Sequence, residues 1–125
     1  MKLVKITEPA EALAIRQAYF SFEVPSNISV LVHEFRIDGQ AVGYVATEDY
    51  NTVGGPHLAV KEGYRNAAFM TKVKWLIQNV YYPLMKAQGK EFLVTTCSPE
   101  DAGTTRILKE CGFNIDTHVI AEYKL

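Results

Sequence analysis

Between residues 29 and 84 the apolar pattern changes its period once, and that change constrains the fold more than any other feature of the chain. Residues 29–37 alternate: Leu31, His33, Phe35 and Ile37 fall on one side of a strand, with Val32, Glu34 and Arg36 on the other. Asp38-Gly39 predicts a tight hairpin turn, because both central positions need positive φ. Gln40 to Thr47 is then the return strand, and a third strand is expected from Gly55 to Val60. From Asn66 the spacing becomes helical, with Phe69, Val73, Ile77, Val80 and Leu84 on one stripe. Asn66 is a good N-cap, and Pro83 should kink or end the helix. Three strands in succession and then a long helix exclude a simple α/β alternation.

The flanking segments complete the pattern. Leu3 to Ile6 reads as a short strand, after which Thr7 is expected to cap a helix with Pro9 in its first turn. Ala10, Ala14, Ala18 and Phe22, with Leu13 adjoining, form its expected buried stripe, and the helix stops before Val24-Pro25-Ser26-Asn27. Gly89 breaks the chain and Glu91 to Thr96 forms a strand. Ser98, Pro99 and Asp101 predict a helix start, with Ser98 as cap, Pro99 first and Asp101 closing a capping box. Gly112 suits the left-handed position past its end. Residues 113–124 supply one or two last strands. The order is β-α-β-β-β-α-β-α-β(β), read as one domain over residues 1–125, with no repeat, linker or low-complexity tract.

Charge and composition narrow the function classes. A formal net charge of −1 gives no global field for nucleic acid or an anionic membrane. The apolar runs fall far short of the roughly 20 residues of a membrane span. The N-terminus lacks the apolar stretch of a secretion signal. Cys97 and Cys111 make neither a disulfide framework nor a zinc set, so no metal is expected, and a reduced cytoplasmic setting is the default.

The element order and two segments resemble the GNAT family of N-acetyltransferases. The first segment runs from Leu58 to Met70: a strand, a short loop, then Arg65-Asn66-Ala67-Ala68-Phe69-Met70 where the family has Arg/Gln-x-x-Gly-x-Gly/Ala opening a long helix. The second runs from Cys97 to Phe113, where Asp101, Thr104 and Leu108 stand at the family's Asn, Ala and Tyr positions before Gly112-Phe113. The resemblance implies an α/β (α+β) fold, a mixed central sheet of six to seven strands flanked by three to four helices. It implies acetyl-CoA or coenzyme A as co-substrate and a small-molecule or peptide amine as acceptor. The backbone of Leu58, Ala59 and Val60 would pair with the pantetheine arm, and Arg65, Asn66, Ala67, Ala68, Phe69 and Met70 would hold the pyrophosphate. Backbone N–H groups at a helix start suit such an anion, and glycines let it come close. Asp101 is assigned to the cofactor by its position.

The chain departs from the family at the glycine, Asn and Tyr positions. Ala68 and Met70 stand where glycine or a small residue is usual; Ala68 costs little, whereas Met70 would fill the phosphate cradle or turn into the core, and Asp101 replaces the Asn. Leu108 cannot protonate a leaving thiolate. The alternative is therefore a GNAT-fold protein without turnover, with protein assembly partners. Small GNAT-like proteins of tailed bacteriophages, internal virion proteins among them, also carry an Ile/Phe-Leu-Lys run before a glycine, as in Ile107-Leu108-Lys109.

Within that frame His57 is the candidate catalytic base, since its unperturbed pKa lies near neutrality, against the plainer reading of a structural strand histidine. Glu48 and Asp49, after the return strand, either bind a cationic amine substrate or, as the plainer reading has it, are loop carboxylates facing solvent. Lys61, Lys72 and Lys74 either add positive potential for the cofactor or are surface lysines. Tyr44, Tyr50, Tyr81 and Tyr82 line a groove or pack on helices. Cys97, at the end of its strand, is either a covalent acyl-cysteine, for which no adjacent base is evident, or, as the plainer reading has it, a buried, inert thiol. Gly54-Gly55-Pro56 is no phosphate loop; its glycines are expected to permit a bulge where the sheet splays.

Overall fold

The computed structural model describes residues 1–97, 100–115 and 120–125. The elements are β1 (Lys2–Lys5), α1 (Pro9–Tyr19), β2 (Val30–Ile37), β3 (Gln40–Tyr50), β4 (Val53–Val60), a 3₁₀ turn (Glu62–Tyr64), α2 (Ala67–Leu76), a π turn (Ile77–Tyr81), α3 (Tyr82–Ala87), β5 (Phe92–Thr96), α4 (Ala102–Glu110), β6 (Asn114–Ile115) and β7 (Ile120–Lys124). The described strands form one mixed sheet in the order β1-β2-β3-β4-β5-β7-β6. Neighbours are antiparallel except β4 and β5, which run parallel.

The Asp38-Gly39 turn forms as expected, with φ of 53° and 76°. Strand alternation then sends side chains to two cores. Phe35 and Ile37 join Val73, Leu76, Ile77, Tyr81 and Met85 on one face, with the α4 side chains Ile107 and Leu108 against the same cluster. Val32, Tyr44 and Ala46 pack with Ile15 of α1 on the other. In α1 the buried residue is Ile15, while Ala10, Ala14 and Ala18 are exposed, contrary to the alanine stripe expected from sequence. A branched side chain removes more apolar area from water than an alanine, so it decides which way a short helix turns. Thr7 also lies outside the helix, whose cap residue is Glu8 with no side-chain bond.

Asn66 caps α2 as predicted, its Oδ1 accepting from the Phe69 N–H at 3.2 Å. Pro83 does not end the helical run. The π turn before it closes with the Tyr82 N–H donating to the Ile77 carbonyl, five residues back, and Pro83 falls in the first turn of α3. Adjacent Tyr81 and Tyr82 are both buried, and their hydroxyls reach Thr47 Oγ1 and the Cys111 carbonyl at 2.6 Å each.

The start of α4 differs from expectation. Asp101 is itself the cap, accepting from the Thr104 N–H at 3.0 Å and the Thr104 hydroxyl at 2.7 Å. One carboxylate satisfies both Thr104 donors, while Ser98 and Pro99, on which the predicted capping box rests, lie outside the described residues. Gly112 follows α4 with φ of 89°, as predicted.

Candidate functional site: the fork between β4 and β5

β4 and β5 pair only at Val53–Phe92 and Gly54–Leu93 and then part. The direction of the β4 backbone follows from the Lys61 N–H, which donates to the Val42 carbonyl of β3 at 2.8 Å. Alternate residues Ala59 and His57 therefore also face β3, while Gly54, Pro56, Leu58 and Val60 direct their backbone groups toward β5. Pro56, the first of these after Gly54, has no N–H to donate, so the ladder cannot continue past it.

No bulge occurs at Gly54-Gly55. The β3–β4 register is unbroken, and the irregularity lies in the β2–β3 pair between Phe35 and Arg36, where Val42 of β3 is the extra residue. The glycines serve close approach instead. A Cβ on Gly54 would sit 2.9 Å from Leu93 Cδ2, and one on Gly55 would sit 3.2 Å from Glu48 Oε2.

The fork opens a cleft of about 900 Å³, walled by β4 on one side and by Thr95, Thr96 and α4 on the other. Leu58, Ala59, Val60, Arg65, Met70 and Asp101 all line it, as does His57. The open edge of β4 thus offers the backbone of Leu58 and Val60, and Ala59 contributes its side of the wall. The Val60 carbonyl already accepts from Arg65 Nε at 2.8 Å, which pins the guanidinium stem at the cleft mouth.

Beyond Arg65 comes the exposed start of α2. The Phe69 N–H goes to the Asn66 side chain and the Met70 N–H to the Asn66 carbonyl at 2.9 Å. Those of Ala67 and Ala68, in the first turn, have no helical acceptor and point out along the axis. Met70 packs against the core cluster and forms cleft wall, while Phe69 stands edge-on to Tyr64 with centroids 4.8 Å apart and is no part of the lining. Lys72 and Lys74 are drawn to Asp38 and Glu110, and Lys61 lies over the Tyr44 ring. Among the described residues, Arg65 is accordingly the cation lining this mouth.

At the other end His57 Nε2 meets Glu48 Oε2 at 2.6 Å, and the ring stacks on Phe22 with centroids 3.8 Å apart and planes 6° from parallel. Tyr50 donates to the other Glu48 oxygen at 2.7 Å. Glu48 is a strand residue with a side chain only 14% exposed, so the solvent-facing loop reading of it was wrong. Asp49 is in the same strand and pairs with buried Lys90, which holds its carboxyl below the usual range. Sequence reasoning missed Glu48 as a partner of His57. The two are diagonal neighbours across the β3–β4 hairpin, a relation visible only once the register is known.

The remaining candidates are placed as follows. Cys97 is buried, as expected, and lies outside the cleft lining. Cys111 lines the cleft, but burial pushes its thiol up to about 11, so it is no nucleophile near neutral pH. Leu108 lines the cleft and has no proton to give. Tyr81 and Tyr82 line it too, with hydroxyls already engaged and pushed well above their usual pKa by burial. Among the described residues no cluster of three or more His, Cys, Asp or Glu could hold a metal, and no helix is long and apolar enough to cross a membrane.

A mixed sheet that parts between two parallel strands, with a capped helix starting at the mouth, is the GNAT acetyltransferase fold, and solved structures of acetyltransferases match this chain over most of its length. A spermidine N-acetyltransferase chimera of Vibrio cholerae SpeG and human SSAT matches with a TM-score of 0.71 at 9% identity, covering 99% of this chain and 96% of that one. The aminoglycoside acetyltransferase AAC(6')-Ib in complex with coenzyme A and kanamycin matches at 0.70 and 15%, covering 98% and 94%. Another structure of that enzyme with coenzyme A matches at 0.62 and 16% over 77% of this chain, which spans only 66% of its length. No protein-family model and no curated protein matches the sequence.

Proposed function

We propose that the protein is an acyl-CoA-dependent N-acyltransferase, acetyl-CoA being the donor. The observation that carries this reading is the open β4 edge leading to a cationic helix start, a cleft clear of Phe69 and only walled by Met70. Leu58 and Val60 would hold the pantetheine by backbone hydrogen bonds, and Asp101 would flank it from α4. Arg65 and the Ala67–Ala68 turn would take the pyrophosphate, an anion that a helix N-terminus stabilises. His57, further along β4, would accept the proton of the attacking amine. Coenzyme A complexes among the structural neighbours support the same cofactor.

The amine nitrogen would attack the thioester carbonyl directly, in a reaction assisted by holding both partners in one cleft. The C–S bond then breaks and the thiolate leaves with the electron pair, to be protonated by water because Leu108 offers no donor. The acceptor is a primary amine of a small molecule or peptide.

Isothermal titration with acetyl-CoA and coenzyme A, on the natural protein and on Arg65→Ala, tests the reading. Micromolar binding that weakens at least tenfold in the variant is the expected result. Absence of heat at millimolar ligand would remove the enzyme reading and leave a GNAT-fold protein whose partners are other proteins.

A further inference from the structure

We infer that Glu48 is a positioning residue, which fixes His57 in one tautomer and so makes it a base toward the cleft. The inference rests on the transferase reading, but its geometry stands apart from the cofactor. A carboxylate only accepts, so across the 2.6 Å contact His57 Nε2 is the donor and carries the proton. In the neutral ring Nδ1 is then bare, and no described residue bonds to it. Two further contacts hold the arrangement. Phe22 lies flat on the imidazole and fixes the ring plane, and Tyr50 occupies the second Glu48 oxygen so that the carboxylate cannot swing away. Gly55, opposite Glu48 in the β3–β4 register, leaves space over the backbone for the carboxylate to reach His57.

In the transfer, Nδ1 takes one proton from the amine as the N–C bond forms and the C–S bond breaks. The resulting imidazolium is stabilised by Glu48 and returns its proton to water. Atoms and charge balance with no other reactant: amine and thioester become amide and thiol.

Nitrogen-15 spectra of the labelled histidine rings, recorded on the protein without ligand, read the tautomer. His57, assigned by its loss in His57→Gln, should show Nε2 protonated and Nδ1 bare, and Glu48→Ala should convert it to a mixture. Acetyl transfer from acetyl-CoA to a panel of primary amines gives the second measurement. Glu48→Gln should lower kcat about 100-fold, the low end of general-base assistance, with KM for acetyl-CoA unchanged and Glu48→Asp partly restored. A ring spectrum indifferent to Glu48, or one with the proton on Nδ1, overturns the inference even if coenzyme A binds. Failure of coenzyme A to bind, with the tautomer as stated, overturns the transferase reading alone.

Discussion

His33 sits in β2 between Lys5 of β1 and Val45 of β3, 2% exposed, with Nδ1 buried and without a partner among the described residues. Burial, with a smaller contribution from the Lys5 charge, lowers its pKa from 6.5 to about 4. The unfolded chain therefore takes up a proton near pH 6.5 that the folded chain refuses until about pH 4. Stability contributed by this group is complete above pH 6.5 and falls as pH drops through that window, by about 3 kcal/mol in total. Urea midpoints at pH 7 and pH 5 should differ less in His33→Leu than in the natural protein; an equal difference would contradict the assignment. His57 and His33 look alike in sequence, one in each of the strands that flank β3. What separates them is register. His57 was legible as a candidate because it precedes a recognisable loop and helix. Its partner Glu48 was not, because the turn that sets the β3–β4 register has Asn51 at φ of 66° within Tyr50-Asn51-Thr52-Val53, a weaker signal than Asp38-Gly39.

Among the elements, α2 carries both stability and the proposed anion end of the cleft. Replacing Asn66 by alanine removes the bond to the Phe69 N–H and should cost about 1 kcal/mol, measured by denaturant unfolding. The alternating strands, the Asn66 cap and the Phe69–Leu84 stripe were all readable from sequence, because each rests on a local pattern that tertiary packing reinforces. The α1 face was misread because three alanines at regular spacing, continued by Phe22 beyond the helix end, outweigh one Ile15 in a pattern but not in buried area. The π turn was unreadable: it is a compromise between the core positions of Tyr81 and Tyr82 and the missing donor of Pro83, and neither residue signals it alone. The fork likewise needed Pro56 to be placed on the β5-facing side, a matter of parity that composition does not carry.

At the scale of the molecule, the few β4–β5 pairings mean that the sheet is joined in its middle by a short seam while the core cluster runs beneath both arms. The chain crosses that seam once, through Gln88 and Gly89, an exposed turn with Gly89 at φ of 87°. Residues 1–88 hold β1–β4 with α1–α3, and residues 89–125 hold β5–β7 with α4. Each piece alone would expose its share of one core, the first Phe35, Val73 and Met85, the second Leu93, Phe113 and Ala121. Severed at that turn, the two pieces should find each other when co-expressed, driven by the apolar area they cover. Co-purification through a tag on one piece measures this, and independent soluble halves would count against it. The cleft would then behave as a reporter of reunion: with His57 and Arg65 on one piece and Asp101 on the other, neither half possesses a complete site, and any ligand that needs both walls binds only the reassembled pair.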